Sequence, residues 1–184
     1  MAELRYTVFD TPIGACALGW RSRGICAAWL PEADEAALRR RILQRRPAAE
    51  ESAPPPGVQQ AIAGIVALLQ GEARDLLEVP LDLDELPAFH VRVYEIARAI
   101  PPGATLSYGE VARRLGEPDA ARAVGHALGR NPIPILVPCH RVLAAHGRAG
   151  GFSAPGGVFT KHKLLEIEGA LAPGAADDGQ PRLF

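Results

Sequence analysis

Long hydrophobic runs are missing from this 184-residue chain. No apolar stretch approaches the ~20 residues that a membrane helix requires. The opening, MAELRYTVFD, lacks the basic-then-apolar order of a secretory signal. Cysteine is scarce. Cys16, Cys26 and Cys139 are too few, and too odd in number, for a disulfide framework. Together these absences point to a soluble protein of a reducing compartment, the cytoplasm. An excess of charge is lacking too, since 20 Lys+Arg against 21 Asp+Glu leave a formal charge of -1. What is present is ordinary for a folded chain: 48% apolar and 22% charged residues exclude wholesale disorder. The 19 Gly and 17 Pro make it rich in turns, without collagen-like period or internal repeat. At ~150 residues per domain, the length allows one or two.

The charge is unevenly spread. Residues 1–100 carry 11 basic and 14 acidic side chains, whereas residues 101–150 carry 6 Arg against Glu110, Glu117 and Asp119. A neutral protein with a cationic segment can still meet a polyanion, because phosphates respond to the local field. An Arg-rich solvated surface would look the same.

Tyr6–Phe9, Cys16–Trp20 and Ile25–Leu30 are short apolar or alternating runs. The turn-like Thr11–Gly14 and Arg21–Gly24 separate them, which predicts an antiparallel meander. Residues 33–46 read as a helix, with Leu38 and Ile42 four apart. Ser52–Gly57 reads as a loop, followed by a helix with Ile62, Ile65, Val66 and Leu69 on one stripe and Gly71 at its end. Residues 75–87 form an acidic, proline-bearing connection and read as an extended linker. The expected domains are therefore 1–86 and 87–170, with a flexible tail over 171–184.

Beyond the linker a helix presents Phe89, Val93, Ile96, Ala97 and Ile100 on one face, until Pro101-Pro102-Gly103 stops it. Ser107 and Glu110 have capping-box spacing and open another helix through Leu115. After Gly116-Glu117-Pro118, Asp119 is expected to cap a helix over Ala120–Leu128 that Gly129 ends. Two short helices joined by a tight glycine-containing turn have the outline of a helix-turn-helix, an outline shared by many helical hairpins.

Within Asn131–Val142 a cysteine sits between Pro138 and His140, with Arg141 following. A thiol reacts as its thiolate, so a useful cysteine nucleophile lies near a base, a cation or a helix N-terminus. A Cys-His dipeptide alone is usually accidental. A lone cysteine is more often an inert buried residue, the reading given to Cys16 and Cys26.

The run Pro138-Cys139-His140-Arg141-Val142 resembles the signature of the O6-alkylguanine-DNA alkyltransferases. The likeness extends through Ser107-Tyr108, Ala121–Gly125, Asn131-Pro132, Gly150–Ser153 and Lys161…Leu164-Leu165…Glu168-Gly169. Thr11–Gly14 and Pro80–Leu83 resemble the family's N-terminal domain more loosely. The resemblance implies an α+β protein, in which a ribonuclease H-like N-terminal domain, a small antiparallel sheet with helices, precedes a mostly helical winged helix-turn-helix domain. It implies a monomer that binds double-stranded DNA containing O6-alkylguanine and has no part in membranes. The damaged base is swung out, and its alkyl group passes irreversibly to Cys139, once per molecule and without a cofactor.

Residue by residue, the resemblance makes Cys139 the acceptor. His140 is the base acting through a water, and Glu168 is the acid that orients it. Tyr108 donates toward guanine N3, Arg122 fills the gap left in the base stack, and Asn131 ties the turn before the active-site loop. Leu128, Val142 and Ser153 contact the base. Each has a plainer alternative. Glu168 would otherwise be a solvated helix residue, Tyr108 a half-buried packing residue, Arg122 a surface arginine and Asn131 a solvent-facing turn residue.

The chain also departs from the family pattern. Phe152-Ser153-Ala154-Pro155-Gly156-Gly157 stands where many members have a tyrosine and an immediate Gly-Gly, so a phenol is lost and roughly two residues are inserted. Phe89-His90 and Val93-Tyr94 replace the common Phe-Gln and Val-Trp at packing positions. No zinc-ligating set is recognisable, and no structural metal is expected. The low net charge predicts modest DNA affinity with a shallow salt slope, carried by residues 101–150. Three other readings remain open: a non-enzymatic sensor of alkylated bases, a winged-helix regulator with a sensing cysteine, and a cysteine hydrolase. The first lacks the acceptor thiol, and a Gly-x-Cys elbow is missing for the last.

Overall fold

A computed structural model describes residues 3–144 and 156–171. The three sequence-legible runs form strands β1 (Arg5–Phe9), β2 (Cys16–Arg21) and β3 (Gly24–Trp29), paired as an antiparallel meander. The sheet is not wholly antiparallel. A short β4 (Glu50–Glu51) lies parallel to β1, giving the order β3-β2-β1-β4. Helix α1 (Glu35–Arg45) supplies the crossover that parallel pairing demands. Asp34 starts it by accepting from the Ala37 N–H at 2.7 Å.

Both faces of the sheet are covered, which is why β2 is buried almost throughout. Cys16, Leu18 and Trp20 alternate onto one face, toward helix α2 (Pro56–Leu69). Ala17 and Tyr6 face the other way, toward Leu38 and Ile42 of α1. Helix α2 begins inside the expected loop, because Pro56 at its first position sacrifices no hydrogen bond. Its buried face centres on Ala61, Gly64, Ile65 and Leu68, with Ile62 and Val66 only half-buried. The expected stripe is thus met at Ile65 and Leu69 and shifted elsewhere, since small residues mark the closest approach. A Cβ on Gly64 would lie 2.6 Å from Leu76.

The expected linker has neither helix nor paired strand beyond a single bridge from Leu81 to Ile25, yet it is built into the core. Leu76 and Val79 are buried. Arg98 donates to the carbonyls of Leu76, Leu77 and Val79 at 3.1, 3.2 and 3.0 Å, pinning a corner where Leu76 takes a φ of 58°. Residues of both halves, from Cys16 to Leu164, belong to one hydrophobic cluster.

Helix α3 (Ala88–Arg98) buries Val93, Tyr94 and Ala97. Tyr94 is a packing residue as expected, and its hydroxyl donates to the buried Ala127 carbonyl at 2.8 Å. A two-residue β5 (Leu106–Ser107) pairs in parallel with β6 (Val142–Leu143). Helix α4 (Tyr108–Arg114) opens with the full capping box: Glu110 N–H reaches Ser107 Oγ at 3.1 Å, and Ser107 N–H reaches Glu110 Oε2 at 2.6 Å. Ser107→Ala is expected to cost about 1 kcal/mol, read as a lower thermal midpoint. Helix α5 (Ala121–Gly129) follows, capped at Ala120 with no side-chain bond, so Asp119 does not play the expected role. Helix α6 (Gly157–Ile167) closes the described chain. Among the described residues no helix is long and apolar enough to cross a membrane.

Candidate active site

Asn131 shapes the loop that leads to the cysteine. Its amide donates to the Val137 carbonyl at 2.8 Å, and its oxygen accepts from Ile133 N–H at 2.9 Å. Within this loop the buried Ile135 has a φ of 73°, a strained setting for a β-branched residue. Ala28 N–H donates to the Pro132 carbonyl at 2.9 Å, so the loop is also fastened to the edge of β3. The loop ends in a tight 3₁₀ turn, Cys139–Arg141, whose three side chains are all buried.

The Cys139 residue is 7% exposed and lines a cleft of about 660 Å³. Burial pushes its thiol pKa up. Asn131's side chain, the Lys161 ammonium and the backbone N–H groups of Cys139 and His140 act in the opposite sense. Cys16 and Cys26 lack that set. Burial raises the Cys16 thiol to about 11, and it also raises Cys26.

His140 Nε2 lies 2.8 Å from Glu168 Oε1. Arg141 grips the same carboxylate through Nε at 2.9 Å and Nη2 at 2.8 Å, while its Nη1 donates to the Ile100 carbonyl at 2.6 Å. Glu168 is therefore not solvated; its side chain is 2% exposed. Burial raises its pKa, but bonds from His140 and Arg141 outweigh this and hold the carboxyl at about 2. Burial lowers the pKa of His140, with Glu168 resisting, so the imidazole is neutral near pH 7. An ionised carboxylate only accepts, so Nε2 carries the ring proton. Nδ1 then presents its lone pair and has no partner among the described residues.

Tyr108, the first residue of α4, is half-buried with its ring against α5, where a Cβ on Gly125 would lie 3.8 Å away. Burial raises its phenol, and proximity to Cys139 adds to this. Arg122 is exposed on α5, and Leu128 is buried and lines the cleft with Asn131 and Cys139. Val142 is fully buried. Its carbonyl accepts from Lys161 Nζ at 2.7 Å and its N–H donates to Cys139 O. Ser153, and the 152–155 part of the stretch that departs from the family pattern, lie outside the described residues. So does the tail from residue 172 onward.

Sequence reasoning missed two members of this cluster. Arg141 was noted only as a neighbouring cation. Lys161 was noted only as part of a motif, yet it is 1% exposed and its Nζ lies 6.0 Å from the Tyr108 ring centre. Burial lowers Lys161 to about 8, partly resisted by Cys139. A lysine amid the apolar positions of α6 was the available signal. Lys161→Ala strands the buried Val142 carbonyl without its donor and is expected to cost about 1–3 kcal/mol in thermal unfolding.

A cleft-lining thiol beside a neutral imidazole braced on a carboxylate is the arrangement of a cysteine nucleophile. Comparison with known proteins narrows that class. The family described as 6-O-methylguanine DNA methyltransferase, DNA binding domain, matches residues 88–170. The methylated-DNA–protein-cysteine methyltransferase of Mycobacterium tuberculosis is 46% identical over 113 residues, 61% of this chain and 66% of that protein. The Escherichia coli bifunctional transcriptional activator/DNA repair enzyme Ada is 37% identical over 166 residues, 90% of this chain and 45% of Ada. Among solved structures, Mycobacterium tuberculosis OGT in complex with DNA superposes with a TM-score of 0.72 at 35% identity, covering 90% of this chain and 93% of that one. The chain belongs to the O6-methylguanine-DNA methyltransferase family.

Proposed function

We propose that the protein repairs DNA by taking the alkyl group of O6-alkylguanine onto Cys139, in one irreversible step per molecule. The observation that carries this reading is the cleft-lining thiol beside an imidazole whose Nε2 is committed to Glu168 and whose Nδ1 is uncommitted. The damaged base leaves the duplex and meets the sulfur, and Arg122 fills the space vacated in the stack. The thiol proton passes through a water to Nδ1 of His140. The thiolate attacks the alkyl carbon, a carbon–sulfur bond forms, and the bond from carbon to O6 breaks. Tyr108 supplies a proton at guanine N3, so the purine departs neutral, and the imidazolium's proton restores the phenol. Asn131 fixes the loop, and Leu128, Val142 and Ser153 hold the base. The thioether product resists hydrolysis, so the thiol does not return.

The same reading treats α4 and α5 as a helix-turn-helix with β5–β6 as part of its wing, and the N-terminal sheet as ribonuclease H-like. The division falls at 86/87, just before α3. The protein acts as a monomer in the cytoplasm, where its three free cysteines remain reduced. Duplex DNA carrying labelled O6-methylguanine tests the function. One methyl per chain, found on the Cys139 peptide by mass spectrometry, supports it. Label far beyond one per chain, or none on that peptide, sinks it.

A further inference from the structure

Four arginines converge on the cleft that reaches Cys139. Arg41 and Arg45 come from the last turns of α1, Arg46 from its C-cap, and Arg130 faces them from the C-cap of α5. No Asp or Glu is among the described residues lining this cleft. Arg41 is committed to Glu32 at 2.6 Å. Arg45, Arg46 and Arg130 are exposed and make no ion pair among the described residues, although Asp82 and Glu85 lie near Arg46 beside a smaller pocket. Concentrating unpaired guanidinium groups in a cleft without acidic counter-charges costs self-repulsion, which an anionic occupant would relieve.

The shape of the cleft says which anion. Its 660 Å³ extends away from the sulfur, and Tyr108, His140 and Val142 do not line it. Half-buried Trp29 provides an aromatic wall. Arginines beside an aromatic face are the elements that track a nucleic-acid strand: guanidinium groups fork onto phosphates, and the ring accepts a stacked base. Because Cys139 lies within the same cleft, a nucleotide presented to the sulfur places its neighbouring phosphates within the arginine rim.

We propose that this cleft is a second anchor for the DNA backbone, through which the N-terminal half grips the strand with Arg45 and Arg46 opposite Arg130. The proposal rests on the DNA-repair reading above but adds, through Arg45 and Arg46, contacts from outside residues 101–150. It predicts a steeper salt dependence than those residues alone would give.

The test measures equilibrium binding of undamaged and O6-methylguanine duplexes across a salt series, for the wild type and for Arg45→Ala/Arg46→Ala. Both positions are exposed, and an unchanged melting temperature shows that the variant is folded. Loss of two phosphate contacts lowers the slope of log affinity against log salt by about 2 and weakens binding about tenfold or more near 0.1 M salt. Arg45→Lys/Arg46→Lys retains most of the slope. An unchanged slope and affinity in the alanine variant overturns the proposal. Transfer from free O6-methylguanine base, which carries no phosphate, tests the wild-type thiol separately. Failure there, with a normal slope change, sinks the alkyl-transfer reading and leaves the anchor standing.

Discussion

Cys139→Ser is expected to abolish alkyl transfer while leaving affinity for damaged duplex within about threefold of the wild type. The two side chains differ by one atom, so the turn, the Asn131 bonds and the cleft are expected to persist. What disappears is the nucleophile. A serine hydroxyl is far harder to ionise than a thiol, and a single neutral imidazole cannot supply enough alkoxide to displace a purine. Radiolabel transferred to protein should fall to background, and gel-shift titration should show binding retained. Residual transfer at more than about a hundredth of the wild-type rate would mean that another residue accepts the group. Cys16 and Cys26 are poor candidates, because burial raises both thiols and neither lines the cleft.

The second large effect is at Glu168. Glu168→Ala removes the carboxylate bonded to both the His140 ring and the Arg141 guanidinium. It leaves a 1%-exposed arginine charge without its counter-ion. Breaking a buried pair from one side costs about 3–5 kcal/mol. The imidazole also loses the acceptor that fixes its tautomer, so transfer should slow by about 10²-fold or more. Glu168→Gln keeps an acceptor for the ring and should restore part of both.

The same carboxylate sets a pH dependence. Its pKa falls from 4.5 in the unfolded chain to about 2 in the fold. The unfolded state therefore binds more protons between those values. The stabilisation is fully present above pH ~4.5 and is lost as pH falls toward 2, a difference of about 3 kcal/mol. Denaturant midpoints measured from pH 6 down to 2.5 should show a loss that Glu168→Ala does not share. Equal acid sensitivity of the two proteins would contradict this assignment.

Local chemistry made much of this molecule legible before any coordinates. The apolar run of β2, the Leu38–Ile42 pair of α1 and the Ser107–Glu110 capping box each depend on residues close in the chain. Those features came out as read. The Cys-His dipeptide took its meaning from the ordered motifs around it. What stayed hidden depends on distant partners. Nothing near residue 50 announces that Glu50–Glu51 will pair with β1, and nothing in α2 says that Gly64 faces Leu76. The acidic 75–87 stretch looked like a spacer because its anchor, Arg98, lies some twenty residues on. Arg141 and Lys161 were underread for the same reason. A buried charge is recognised by the groups that surround it, and those arrive from other elements.

The two struts of the site have an implication for redesign. Arg141–Glu168 and Val142–Lys161 both bridge from the end of the cysteine turn to α6, closing off the intervening segment like paired clasps. Loop-closure entropy grows slowly, about 0.6 kcal/mol for each doubling of length. Because both ties lie outside residues 145–155, changing the length of that stretch is expected to leave the Arg141–Glu168 and Lys161–Val142 bonds in place.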